Sequence, residues 1–112
     1  MGYYSKDVYY NPEEFGLETV GEIEWEEPNW SFDLTAVWKK SRGEYYFASD
    51  SGCSCPAPFE DFTSVEKLEG PFTKSALKFR LMEMVNERAD ERYGYGLANL
   101  TAQVNAILER LK

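Results

Sequence analysis

Two cysteines separated by one residue are the side chains of this sequence best suited to chemistry. Cys53 and Cys55 lie in the segment DSGCSCPAPFEDF, residues 50–62, which also contains Pro56 and Pro58. The pair is compatible with three roles: buried thiols in a rigid turn, half of a zinc site, or a redox couple.

The surroundings of the pair favour a structural turn. A zinc site would need two more ligands, and because the chain has no histidine they would have to come from Asp50, Glu60, Asp61 or a second subunit. A disulfide across one intervening residue closes a strained, easily reduced ring. In the turn, by contrast, Asp50 or Ser51 can cap backbone N–H groups, Gly52 supplies a φ that other residues avoid, and the prolines hold the exit extended. We therefore expect no bound metal and no cofactor, with Cys53 and Cys55 as the weaker metal-binding alternative.

The absence of histidine also argues against an enzyme. It removes the Ser-His-Asp and Cys-His arrangements and the commonest general base near neutral pH. No phosphate-binding glycine loop, dinucleotide fingerprint or calcium loop is present. Acidic residues number 20 in 112, so neighbouring carboxylates are expected by chance and favour a solvated surface. The sequence predicts a protein without a catalytic site.

The acidic charge is concentrated in the first half of the chain. Residues 1–61 carry 13 acidic and 4 basic side chains, whereas residues 62–112 carry 7 and 8. Glu22, Glu24 and Glu26 alternate with Ile23 and Trp25, which is typical of a half-buried strand. The ladder raises the hypothesis of a nucleic-acid mimic, but alternate strand positions lie about 6.8 Å apart and phosphates about 3.4 Å apart along one strand. We therefore favour a plain acidic sheet face, which disfavours direct binding to nucleic acid.

Hydrophobic periodicity predicts an α+β fold in one domain, residues 1–112. A Tyr-rich irregular arm, 1–18, precedes a three- to four-stranded antiparallel meander within 19–68, which includes the Cys/Pro loop at 50–62. The strands are predicted at 19–26, 30–39 and 44–49, with a short edge strand at 64–68. Gly43 is expected to take a positive φ in the turn before the third strand.

The last third of the chain, 72–112, predicts two helices that cover the sheet. Thr73 is a candidate N-cap of the first, which extends to about Arg92 with ion pairs from Arg80 to Glu83 and from Arg88 to Glu91. The second extends from about Leu97 to Leu111. Its apolar stripe spans only two heptads, so packing within the domain, and hence a monomer, is favoured over a dimer through that stripe. The stripe consists of Leu97, Leu100, Val104, Ile107 and Leu111.

A resemblance to a known family accompanies the Cys/Pro segment. Together with YNPEEFGL at residues 10–17 and SFDLT at 31–35, this segment resembles an uncharacterised family of small proteins encoded by phages of actinobacteria, over about residues 9–68. The resemblance implies a setting inside an infected bacterial cell and assigns no catalytic residue.

The resemblance and the residue patterns together predict a non-enzymatic phage accessory protein that binds a host protein, with inhibition of that protein as one expected outcome. No apolar run is long enough to span a bilayer, so we expect the host cytoplasm and no membrane partner. Three alternatives stay open: a metal- or small-molecule-binding module at the cysteines, a minor virion component, and the acidic mimic. The predicted contact surface is the 50–62 loop with the acidic strand: Asp50, Cys53, Cys55, Pro56, Pro58, Phe59, Glu60, Asp61, Glu22, Glu24 and Glu26.

Overall fold

The computed structural model describes residues 7–26, 31–40, 43–53, 59, 61–89 and 95–111. In these ranges the chain forms four strands and two α-helices, with two short 3₁₀ turns at Pro12–Phe15 and Val65–Lys67. The strands are β1 (Glu18–Glu24), β2 (Ser31–Lys39), β3 (Tyr45–Cys53) and β4 (Glu69–Phe72). The helices are α1 (Lys74–Arg88) and α2 (Leu97–Glu109). None of the described helices has the length and apolarity needed to cross a membrane.

The strands form one antiparallel sheet in the order β1-β2-β3-β4, which confirms the predicted meander. The central pair, β2 and β3, is in continuous register from Ser31 opposite Cys53 to Lys39 opposite Tyr45. At the turn between them the Lys40 amide donates to the Glu44 carbonyl at 3.0 Å. Gly43 takes the predicted positive φ, at 83°. The short connection thus sets the register of the longest strand pair.

Both faces of the sheet are buried, each in its own core. The helix-side core lies under α1 and α2 and includes Ile23, Val37 and Phe47. The arm-side core includes Leu34, Ala36 and Trp38, together with Val8 from the amino-terminal arm and Phe59 from the Cys/Pro loop. The helices therefore cover one face only, whereas the arm and the loop region cover the other. The predicted packing of the two helices on the sheet is confirmed for the first of these faces.

The alternation within β2 explains why two covers are needed. Even-numbered positions from Phe32 to Trp38 point to the arm-side core, and Val37 points to the helix-side core. Successive side chains of a strand point to opposite faces of the sheet. A strand with apolar residues at both odd- and even-numbered positions must therefore be covered on both faces. Trp30, the first residue of the predicted alternating series, lies outside the described ranges.

The fourth strand lies further along the chain than predicted. Residues 64–68 contain the 3₁₀ turn, and the strand is Glu69–Phe72, which pairs with β3 at Tyr45 opposite Phe72. Pro71 has no N–H to donate, but an edge strand tolerates this. A Cβ at position 70 would lie 2.7 Å from the Tyr45 carbonyl oxygen, so glycine permits the close approach of the two strands. Gly70 and Pro71 therefore belong to the sheet rather than separating it from α1.

The helices begin where the sequence predicts and pack through the predicted stripes. The Thr73 hydroxyl accepts a hydrogen bond from the Ala76 amide at 3.1 Å, which confirms the N-cap. The last residue of α1 is Arg88, earlier than predicted, and Glu91 lies outside the described residues. In α2, Leu97 is 51% exposed and departs from the stripe, whereas the other predicted members are buried: Leu100, Val104, Ile107 and Leu111.

Trp25 joins α1 to the end of the sheet. Its indole N–H donates to the Thr35 hydroxyl at 2.8 Å, and its carbonyl accepts from the Tyr95 amide at 3.1 Å. The guanidinium of Arg88 lies 4.1 Å from the centroid of the indole and forms an ion pair with Asp33. A cation over an indole face is attracted by the ring quadrupole, and here the same cation also contacts β2.

We predict that Arg88→Ala lowers the free energy of unfolding by about 1 kcal/mol, because a partly exposed cation–π contact and an ion pair are lost together. Urea denaturation provides the measurement. Arg80→Ala is the matched control: Arg80 pairs within α1, with Glu83 at 3.1 Å, and its removal should cost less than about 0.5 kcal/mol. Equal losses for the two variants would contradict the proposed role of Arg88.

Candidate interaction site

The described ends of the Cys/Pro loop are connected through Asp50. One carboxylate oxygen of Asp50 accepts a hydrogen bond from the Phe59 amide at 2.7 Å, and the other accepts from the Ser51 amide at 3.0 Å. Of the two predicted caps, Asp50 or Ser51, the carboxylate of Asp50 is the group that accepts these bonds. Gly52 lies in β3 without the positive φ that was expected of it. Residues 50–53 belong to β3 rather than to the loop, because β2 is long enough to pair with them. The loop therefore begins later than predicted and closes on a charge-assisted hydrogen bond.

Phe59 is the apolar anchor of the loop. Its side chain is completely buried in the arm-side core, where its ring centroid lies 5.0 Å from that of Tyr9, 5.3 Å from Phe62 and 5.9 Å from Trp38. The backbone of Phe59 has a positive φ of 63°, which is unusual for a residue with a large side chain. Phe59 was predicted as a surface contact. The structure corrects this, because a buried ring cannot contact a partner.

The amino-terminal arm packs against this loop. The Asp7 carboxylate accepts from the Tyr9 amide at 2.9 Å and from the Tyr10 amide at 2.8 Å, which forms a turn at the start of the described arm. The Val8 amide donates to the Phe62 carbonyl at 3.0 Å, and the Val8 side chain is completely buried. The arm from residue 7 onward is therefore a structural cover of the sheet, and it presents Tyr10 with 54% of its surface exposed.

Tyr9 connects the two parts of the predicted contact surface. Its ring stacks on Phe59 at the base of the loop, and its hydroxyl donates to the Glu22 carboxylate on β1 at 2.7 Å. Burial, followed by the hydrogen bond to Glu22 and the charge of that carboxylate, raises the pKa of Tyr9 above its ordinary value. The phenol is thus held in its neutral, hydrogen-donating form, and it brings the acidic strand next to the loop.

A cleft of about 570 Å³ lies on the other side of Tyr9, at the outer edge of β1. Glu22 and Tyr9 border the cleft on the sheet side. On the helix side it is bordered by Gln103 of α2 and by Arg110, the residue that follows α2. The lining of the cleft includes one acidic and one basic side chain, those of Glu22 and Arg110, and Ile107 supplies an apolar part. A cleft with these properties suits a peptide that has polar and apolar groups.

A side chain of α2 and that of its C-cap residue cover the backbone of β1 on either side of Glu22. The Gln103 carboxamide accepts from the Glu24 amide at 2.7 Å and donates to the Glu24 carbonyl at 2.8 Å. The Arg110 guanidinium donates to the Val20 carbonyl at 2.7 Å. An uncovered edge strand is a template for pairing with another chain, and these contacts shield it.

The remaining predicted site residues are not gathered at one point. Glu22 is exposed, whereas Glu24 and Glu26 are half-buried. Asp61 is exposed, and its carbonyl accepts from the Lys67 ammonium at 2.9 Å. Cys53 is the last residue of β3. The rest lie outside the described ranges: Cys55, Pro56, Pro58 and Glu60.

The structure gives no support for a metal site in the part of the chain that it describes. Across 7–26, 31–40, 43–53, 59, 61–89 and 95–111, no three histidine, cysteine or acidic side chains are arranged to hold an ion. Cys55 lies outside these ranges, so this statement does not cover a site formed by Cys53 and Cys55. Sequence reasoning missed the contributions of Tyr9, Gln103 and Arg110, because their contacts join residues that are distant in the chain.

The chain was compared with models of protein families. The family described as a domain of unknown function (DUF7574) matches residues 6–112. The chain belongs to this family. Its description assigns no activity, so no residue role is taken from it. No curated protein and no solved structure gives a significant match.

We predict that Phe59→Ala lowers the free energy of unfolding by about 3–5 kcal/mol, because it leaves a cavity among Tyr9, Trp38 and Phe62. Denaturant titration gives the value. Phe79→Ala makes the same chemical change on the outer side of α1, where the ring is 71% exposed, and should cost less than about 0.5 kcal/mol. A small effect at Phe59 would show that the loop is not anchored by its ring.

The raised pKa of Tyr9 predicts a loss of stability at alkaline pH. The folded state keeps the phenol protonated above its ordinary pKa of about 10, whereas the unfolded chain releases the proton. The contribution of Tyr9 is therefore complete below about pH 10 and is lost as the pH rises toward the folded-state pKa. Stability measured between about pH 8 and 11.5 should fall more steeply in the wild type than in Tyr9→Phe. Parallel curves would contradict the raised pKa.

Proposed function

We propose that this protein is a non-enzymatic accessory module of a phage that acts in the infected cell by binding a host protein and inhibiting it. The proposed contact surface is the anchored Cys/Pro loop together with Tyr10 and Glu22, which we call the loop–acid surface. The phage setting derives from the sequence resemblance, and the non-enzymatic character derives from the absence of histidine in the chain. The observation that carries the choice of surface is the position of Tyr9, which contacts both the loop and the acidic strand.

Preorganisation supports a binding role for the loop. Asp50 fixes the backbone at Phe59, and Phe59 fills the arm-side core, so the start and the end of the loop are held without a partner. Binding costs free energy for every segment that must be ordered, and a loop held at both ends loses less on binding than an unanchored one.

The composition of the surface indicates the chemistry of the partner. Tyr10 is exposed and lies edge-on to Tyr9, with ring centroids 4.9 Å apart. Tyrosine contributes a large rigid contact area and is frequent among the residues that dominate binding energy. Glu22 is exposed beside it, in the half of the chain that carries most of the negative charge. A basic partner surface with an apolar depression would complement this pair.

We predict that the immobilised wild-type chain captures a specific host protein from an actinobacterial lysate, and that the double variant Tyr10→Ala, Glu22→Gln loses it. Glutamine at position 22 can still accept the Tyr9 hydrogen bond, so the variant removes charge and an exposed ring but keeps the local structure. Capture, identified by mass spectrometry, should weaken between about 50 and 300 mM salt, because the charge of Glu22 is exposed.

The matched control changes the same residue classes on the helices: Leu97→Ala, with its 51% exposed side chain, combined with Glu87→Gln on α1. This control should capture the partner as the wild type does. If no specific protein is captured, or if the double variant and the control behave alike, the proposed function is wrong.

A further inference from the structure

The outer side of α1 carries a shallow groove with two apolar side chains, Phe79 and Met82, of which Met82 also packs against the edge of the helix-side core. Phe79 is 71% exposed, Met82 is half-buried, and a shallow groove of about 520 Å³ is lined by these two residues with Ser75, Lys78, Glu83 and Asn86. The buried residues of the helix lie on its other side: Leu77, Leu81, Met84 and Val85. Phe79 is thus an exposed large aromatic side chain in a helix whose inner side is already packed.

The spacing of the groove residues is that of a coiled-coil seam. Ser75, Phe79, Met82 and Asn86 follow one another at intervals of four, three and four residues, which places them within an arc of about 60° on a helix of 3.6 residues per turn. In heptad terms Phe79 and Asn86 occupy a positions, and Ser75 and Met82 occupy d positions. We call these four residues the outer seam of α1.

The charges beside the outer seam are complementary to those of a second copy. Lys78 occupies a g position, and Glu83 occupies the e position five residues later. When two identical helices pair in parallel, the g residue of one lies opposite the e residue of the following heptad in the other, so Lys78 would face Glu83 of the second copy twice across the axis. Antiparallel pairing would instead place Lys78 on the side of Lys78 of the second copy, and Glu83 on the side of its Glu83, so that like charges would repel.

The residues that form these ion pairs are accessible in the isolated chain. Lys78 makes no ion pair with any residue in the described ranges. Glu83 accepts one bond from Arg80 through a single carboxylate oxygen, at 3.1 Å, which leaves its other oxygen able to accept a second bond. Asn86 at an a position agrees with this arrangement, because a buried asparagine pair favours a parallel dimer in fixed register.

From this pattern we infer that the protein forms a parallel two-fold dimer through the outer seam of α1, with Phe79 packed on Phe79 and Lys78 paired with Glu83 of the second copy. The helix is already folded against its own sheet, so pairing does not carry the cost of helix formation that limits short isolated coiled coils. The interface spans only two heptads, and the dimer is therefore weak and forms at high protein concentration. This dimer differs from one through α2, whose stripe is buried from Leu100 onward.

The first experiment measures association of the whole chain by sedimentation velocity from about 10 μM to 1 mM. The wild type is expected to show a concentration-dependent equilibrium between monomer and dimer, and Phe79→Glu is expected to raise the dissociation constant at least tenfold. Leu97→Glu is the matched control, since it places the same charge at an exposed apolar site outside the seam and should not change the equilibrium. Circular dichroism of each variant verifies that the fold is retained.

A charge-exchange series tests the orientation. Lys78→Glu and Glu83→Lys should each weaken the dimer about tenfold by placing like charges opposite each other, and the double variant K78E/E83K should restore the wild-type constant to within about twofold. A wild type that stays monomeric up to about 1 mM overturns the inference. It is equally overturned by a dimer that depends on Leu97 rather than Phe79, or by a double variant that is not restored.

Discussion

The fold depends on the burial of its sheet on both faces. Apolar side chains of β2 enter two separate cores, one on each face of the sheet. Neither the helices nor the arm alone can therefore remove all of them from water. The helix-side core draws on the carboxy-terminal third of the chain. The arm-side core draws on the amino terminus and on the segment that follows the Cys/Pro loop. Segments that appear irregular in the sequence are therefore as structural as the helices.

This constraint explains the arrangement of the candidate interaction site. The ring of Phe59 must enter the arm-side core, which fixes the end of the loop, and Tyr9 must cover that ring, which places its hydroxyl beside Glu22. Tyr10 and Glu22, which are exposed members of the loop–acid surface within the described ranges, are thus positioned beside the buried or half-buried rings of the arm side. Binding through these two residues would therefore not carry the cost of ordering the core beneath them.

Local signals in the sequence were sufficient for the elements that are governed by short-range rules. The alternation in β1 and β2, the cap at Thr73, the turn at Gly43 and most of the α2 stripe agree with the structure. The resulting α+β meander with two carboxy-terminal helices was predictable for the same reason.

The errors arose where a distant partner overrides local preference. β4 contains Gly70 and Pro71, both poor strand formers, and is a strand because the edge of β3 is available to it. Phe59 lies in a segment rich in proline and acidic residues, which favoured an exposed position. Its ring is instead buried in the arm-side core, in contact with Trp38 and Phe62. Arg88 contacts Trp25 and Asp33, which lie more than 50 positions earlier in the chain, and sequence reasoning did not predict these contacts. A pattern within a few consecutive residues of the sequence cannot include partners that lie this far away in the chain.

The shielding of β1 also has a consequence for the order of events during synthesis. Glu24 and Val20 receive their edge contacts from residues 79 and 90 positions later, Gln103 and Arg110. While the ribosome is still adding these residues, β1 can pair with β2, but its outer backbone and the helix-side core remain open to water and to other nascent chains. Completion of the fold therefore waits until α2 has been synthesised and docks across β1.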